Sequence, residues 1–231
     1  MKKIFFILLF CFQCFLTFNQ SANAAVNDFG LWNGVRINLP ITKKIDSRFY
    51  VSPRLLDNAT DFNQLIVHAL LGYKLRENLI FYQGYAWSTT YIPNFKREER
   101  PYQDLVYKSK FKKLSLENRF RFEERFLQDI EGISLRSRYR IKGSYPIDKK
   151  GRWNLVLFDE IFVNLNSHFA GPQAGIDQNR IFVGINRKLS ENVDIEGGYQ
   201  LQHLHKKGSL PDALNHFILV NLNVNLPQIL K

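Results

Sequence analysis

Cysteine is nearly absent. The 231 residues contain two, Cys11 and Cys14, both inside an apolar run near the N-terminus. Beyond residue 24 there is no stretch of 18 uncharged apolar residues, which excludes a membrane-spanning helix from the rest of the chain. Acidic residues are in short supply, 21 against 32 Lys and Arg, for a formal charge of +11. That balance suits an anionic partner such as lipid head groups or an acidic solute. Nucleic acid is not expected: there is no zinc knuckle, and the arginines and phenylalanines alternate between faces and do not share one stacking platform.

The cysteine-bearing segment reads as an export signal. Lys2 and Lys3 precede an apolar run from Ile4 to Phe18, and Ala22, Asn23 and Ala24 form an A-x-A cleavage site. The chain then divides into a signal peptide over 1–24 and one domain over 25–231. An uncleaved anchor would need a longer run without a processing site, and Phe10 occupies the position before Cys11 where a lipoprotein needs a small residue. The exported chain would carry no disulfide in an oxidising compartment, so its fold must hold without one.

What the rest of the chain does have is alternation. Residues 119–126 read R F R F E E R F, and 136–142 read R S R Y R I K. Period-two patterning marks eleven segments, roughly 28–39, 45–56, 64–75, 79–91, 103–111, 114–127, 133–145, 152–165, 179–189, 192–205 and 214–226. Each has one apolar and one polar face. Leu114, Leu116, Phe120, Phe122 and Phe126 oppose Glu117, Arg119, Arg121, Glu123 and Arg125; Ile133, Leu135, Tyr139 and Ile141 oppose Arg136, Arg138, Arg140 and Lys142. At 100° per residue the apolar positions of 114–126 would scatter around a helix, so strands are expected. The 20 Phe and 10 Tyr agree with that choice.

Strands longer than the usual five or six residues, with short connections taking turns with long ones, predict a closed antiparallel transmembrane β-barrel. A bilayer requires every backbone polar group to be paired within the protein, which a closed sheet achieves, and mean hydropathy stays moderate at −0.25 because only alternate residues meet lipid. An even strand number with both termini on one rim predicts twelve strands, with ten as the alternative, so that residues 25–45 would hide a split or an extra strand. Trp32, Phe49, Tyr50, Tyr73, Phe81, Tyr82, Trp87, Tyr91, Tyr145, Trp153 and Tyr199 are the expected aromatic girdles. The C-terminus, P Q I L K, lacks the terminal aromatic that many such barrels carry.

With the aromatics outward, Arg119, Arg121, Arg125, Arg136, Arg138 and Arg140 line the lumen. Glu117, Glu123, Glu160, Asp194 and Glu196 are available as partners, and Arg180 sits between the last two groups. Two readings use these same residues: a plugged barrel braced by ion pairs, and a narrow channel that favours small anionic solutes. The basic stretch Lys96, Arg97 and Arg100 is placed in an outer loop. His203 and His205, with His68, His168 and His216 elsewhere, are the residues an outer-membrane lipid hydrolase would need, but no G-x-S-x-G is present and the chain is expected to be non-enzymatic. His203-x-His205 gives two metal ligands without a third, so no metal or cofactor is expected. Gly197 and Gly198 fit a bulge or a close strand contact. A soluble lipocalin-like binder would invert the pattern and put the apolar face inside.

The combination L S L E N R F R F E E R F (114–126), L R S R Y R I (135–141), F D E I F V N L (158–165), I D Q N R (176–180) with Gly184, E G G Y Q L Q H (196–203) and F G L W near residue 29 resembles the domain-of-unknown-function family 2490. The resemblance implies an outer-membrane β-barrel of a Gram-negative bacterium, in contact with lipid and lipopolysaccharide, with no assigned catalytic residues.

Overall fold

The computed structural model describes residues 26–206 and 211–230. The expected signal peptide, 1–24, lies outside them. Eleven strands follow one another: β1 (Val26–Pro40), β2 (Ile45–Leu56), β3 (Asp61–Arg76), β4 (Leu79–Thr90), β5 (Lys96–Phe111), β6 (Leu114–Leu127), β7 (Ser134–Pro146), β8 (Trp153–Asn164), β9 (Gly175–Lys188), β10 (Val193–Leu204) and β11 (Ala213–Asn225). Each strand pairs antiparallel with its neighbour in sequence. The circuit closes where β1 meets β11 in parallel, from Val26 opposite Ala213 to Asn38 opposite Asn225.

The expected count of twelve, or ten, is therefore corrected to eleven among the described residues. In a meander every strand reverses direction, so the eleventh runs the same way as the first and the seam must be parallel. A parallel ladder pairs its backbone groups through slanted bonds, so an odd number leaves no open edge. The direction of β1 follows: Val26 lies on the rim of the loops 57–60, 91–95, 128–133, 165–174 and 205–212, and Pro40 on the rim of the turns 41–44, 77–78, 112–113, 147–152 and 189–192. The two rims differ less than the sequence suggests because β5 and β9 extend further toward the loops than their alternation indicates. Pro101 hides the start of β5. It sits in a gap of the β5–β6 ladder, between the pairs Glu99 with Phe126 and Tyr102 with Glu123, where its missing N–H leaves no bond unmade.

Side-chain direction follows parity. Phe120 and Phe126 on β6 face outward and are half exposed, while Arg121 and Glu123 between them are buried inside. Of the expected girdle, Trp32, Tyr50 and Tyr82 face the lumen instead; Trp32 and Tyr82 are buried there and Tyr50 lines the cavity. Inward glycines make room for such rings. The ring of Tyr102 lies where Gly84 would carry a Cβ, and a Cβ at Gly198 would meet the backbone of Val183 and Gly184. Because the register through Gly197 and Gly198 is unbroken on both sides, the pair marks close strand contact and not a bulge.

The parallel seam is testable. Val35 and Leu222 are register partners across it. The double substitution Val35→Cys, Leu222→Cys should form an intramolecular disulfide on mild oxidation, recovered by mass spectrometry as one cross-linked peptide pair. A barrel with an additional strand between β1 and β11 would keep the two thiols apart and yield none.

Candidate functional site

The inward faces of β5 to β9 form one ion-pair network. Its hub is Glu123, 0% exposed, which accepts from Arg136 at 2.7 Å and from Arg138 at 2.8 Å, with Arg100 and Arg121 each 3.7 Å away. Arg138 also reaches Glu160 at 2.8 Å, and Arg119 shares that carboxylate. Arg121 grips Asp104 with Nε and Nη2 at 2.6 and 2.7 Å, the two-pronged fork that a guanidinium makes with a carboxylate. Toward the loop rim, Glu98 takes Arg125 at 2.6 Å and Arg100 at 2.8 Å, and Arg136 extends to Asp177 at 3.0 Å. Toward the turn rim, Arg140 pairs with Glu117 at 2.6 Å and Lys142 with Glu196 at 2.7 Å. Cross-strand register produces this order: on the β6–β7 ladder Glu123 faces Arg136, Arg121 faces Arg138, and Glu117 faces Lys142.

All twelve network residues named from the sequence face the interior, but two have other partners than expected. Asp194 accepts from the amides of Asn186 and Asn223, at 2.5 and 2.7 Å, and not from an arginine. Among the described residues Arg180 reaches no carboxylate within ion-pair distance; its Nε donates to Gln178 at 3.2 Å and its guanidinium lies over Phe162 and Trp32. Arg100 is no loop residue. It lies on β5, buried and paired with Glu98. Arg54, Trp32, Glu98, Asp104 and Asp177 escaped the sequence reading. Glu98 lay in the stretch taken for a loop, Trp32 among the girdle aromatics, and Arg54 is the only arginine near the end of its strand, with no basic row around it.

Beside the network is a cavity of about 780 Å³. Inward residues near the loop rim are sealed, with Ser134 at 0%, Ser88 at 3% and Asn164 at 4% exposure, whereas Lys108, Lys110 and Ser115 near the turns are exposed. The lumen is thus closed toward the loops and opens toward the turns. Its lining holds eleven arginines and three lysines against the five carboxylates of Glu98, Asp104, Glu117, Glu160 and Glu196. Glu123 stands behind them, and Asp46, Asp177 and Asp194 lie toward the two ends, so positive charge exceeds negative on any count.

Outside the lumen, His203 Nε2 is 2.9 Å and His205 Nδ1 3.3 Å from the same oxygen of Asp212, on the loop rim. Asp212 adds the third donor that the sequence left open. This is the group among the described residues that can hold a metal ion. His205 lies beyond the end of β10, so the two rings meet at the rim and not along a continuous strand face.

A family model described as a protein of unknown function, DUF2490, matches residues 29–213. An uncharacterized protein of Methylorubrum extorquens is 28% identical over 225 residues, covering 94% of this chain and 96% of that one. No solved structure matches.

Removing one partner from a buried, shared pair leaves the other charge uncompensated. Arg138→Ala strips a donor from both Glu123 and Glu160, and Glu123→Gln takes the hub from Arg136 and Arg138. Each should lower stability by about 3–5 kcal/mol, read as a fall in the urea midpoint of the refolded barrel. A shift below about 1 kcal/mol, the range of an exposed pair, would show that water already shares these charges.

Proposed function

Because the chain belongs to the DUF2490 family and closes as an all-β barrel with its charges inside, we propose that it is an outer-membrane β-barrel, exported through residues 1–24. Its lumen would be a blind cationic cavity open at the turn rim, not a through channel. The observation that carries this is the orientation of the strand faces. Large apolar side chains such as Phe49, Leu71, Leu105, Phe120, Tyr139 and Leu157 stand outward on successive strands, each more than 40% exposed. A ring of that kind far exceeds the few hundred Å² of apolar patch that a soluble monomer exposes. A lipocalin-like binder would have these rings inside, where the arginines are.

Dimensions agree. The shortest strands have 12 residues. At about 3.3 Å per residue and about 40° of tilt they cross about 30 Å, enough for an apolar band of about 25 Å. Four pairs of outward polar groups on the strands satisfy one another: Gln103 donates to Gln83 at 3.2 Å, Tyr139 to Asn118 at 2.6 Å and Asn179 to Asp159 at 2.6 Å, while Tyr199 and His216 lie 2.6 Å apart. Such pairing across adjacent strands is what hydrocarbon would demand, since it offers polar groups no other partner. Outer-membrane lipid and lipopolysaccharide would then surround the barrel, with no enzymatic step assigned to it.

The sealed loop rim favours the blind cavity over the anion channel. Membrane fractionation of the expressed chain should recover it with the outer membrane, and refolded protein in planar bilayers should give no steady current. A persistent anion-selective conductance would restore the channel. Fatty acid released from phospholipid or lipopolysaccharide would make the chain a hydrolase, and recovery of the chain in the soluble periplasmic fraction would overturn the membrane assignment.

A further inference from the structure

Two lumen arginines that have no ion-pair partner among the described residues converge at one place. Arg54 and Arg180 come from β2 and β9, with the seam of the barrel between them, and they converge on Trp32 of β1, their guanidinium carbons 3.8 and 4.8 Å from its ring centroid. Phe217 packs on that indole at 4.1 Å between centroids and helps to fix it in place. Their hydrogen-bond acceptors are neutral. Arg54 Nη1 donates to Gln64 Oε1 at 3.0 Å, and Arg180 donates to Gln178 and, with the amide oxygen of Gln202 turned toward it, to Gln202 at 3.2 and 3.3 Å. Neither arginine has a carboxylate within 4.0 Å among the described residues, although nine other Arg or Lys side chains do.

A second observation points the same way. Four polar atoms of cavity-lining residues are buried without a hydrogen-bond partner: Arg54 Nε, Arg119 Nε, Arg140 Nε and Gln200 Nε2. All four are donors. Gln200 is 2% exposed and pairs in register with Phe217, the ring stacked on Trp32. The cavity therefore lacks acceptors and negative charge together. Water can satisfy the donors but cannot balance the charge, whereas an oxyanion does both, and a planar guanidinium fork matches its geometry. The basic rim formed by Lys108, Lys110 and Lys142 would draw an anion in from the open end.

We propose that Arg54 and Arg180, seated on Trp32 with Gln200 beside them, form a binding site for an oxyanion. Its ligand is the phosphate or carboxylate group of a small solute that enters from the turn rim. This site rests on the lumen being a cation-lined cavity open at the turn rim, but it requires neither membrane insertion nor the absence of current, so it fails or stands separately from them.

The test uses the refolded full chain carrying Trp87→Phe and Trp153→Phe, which leaves Trp32 as the sole indole. Titration with inorganic phosphate and, separately, with succinate at constant ionic strength should give a saturable change in Trp32 fluorescence with at least one. The more effective anion tells phosphate from carboxylate. Arg54→Gln and Arg180→Gln should each weaken binding at least tenfold, while Lys149→Gln on an exposed turn leaves it unchanged. Gln64→Glu supplies a resident carboxylate to Arg54 and should abolish the response while raising the denaturant midpoint, which keeps the test informative even if the arginine variants do not fold. No saturable response to either anion, or unaltered affinity in Gln64→Glu, overturns the site.

Discussion

Glu123 accepts from two arginines while two more stand within 3.7 Å, and that shared buried carboxylate is what allows so basic an interior to exist. Guanidinium groups on adjacent positions of neighbouring strands repel, and burial strengthens the repulsion. Threading Glu98, Asp104, Glu123 and Glu160 among them turns a row of like charges into a lattice of forks that ties β5, β6, β7 and β8 together across the lumen. The lattice does a second thing. It fills the loop end of the barrel, so the space left over is a cavity with one mouth.

Compensation stops short at one place. The side of the lumen nearest the seam, where β1, β2, β9, β10 and β11 face inward, carries Arg36, Arg48, Arg54 and Arg180 with Asp46, Asp177, Asp194 and Glu196, and its other polar residues are largely amides. Asp194 spends its lone pairs on Asn186 and Asn223, and Glu196 on Lys142. Every inward arginine of β5 to β8 thus has a carboxylate within 4.0 Å, whereas Arg36, Arg54 and Arg180 have none among the described residues. The aromatic rings of Trp32 and Phe162 hold the leftover cations in place through their faces.

Much of this was legible in the chain because a barrel strand carries its orientation in a period of two. The residues from Leu114 to Leu127 alternate so strictly that Phe120 outward and Arg121 inward follow from parity once either is placed. The stretch 96–102 was illegible for a local reason: Pro101 and a dense run of charges imitate a loop, and only the unbroken pairing with β4, from Lys96 opposite Thr90 to Tyr107 opposite Leu79, reveals that the strand continues. The girdle set ignored strand parity: Phe49 and Tyr50, and Phe81 and Tyr82, are adjacent and cannot both face outward, and Tyr50, Tyr82 and Trp32 are the rings that turn inward.

By itself the sequence determined the all-β class, ten of eleven strand positions to within a few residues, the apolar and charged faces, and the β6 and β7 residues of the ion-pair network, because each of these is a local, periodic property. Tertiary structure alone decided the parallel seam, the pairing of each arginine with its carboxylate, the sealed loop rim and the convergence of Arg54 and Arg180 on Trp32. These depend on how strands far apart in the chain are staggered around a closed sheet, and no stretch of residues carries that information until the circuit is closed.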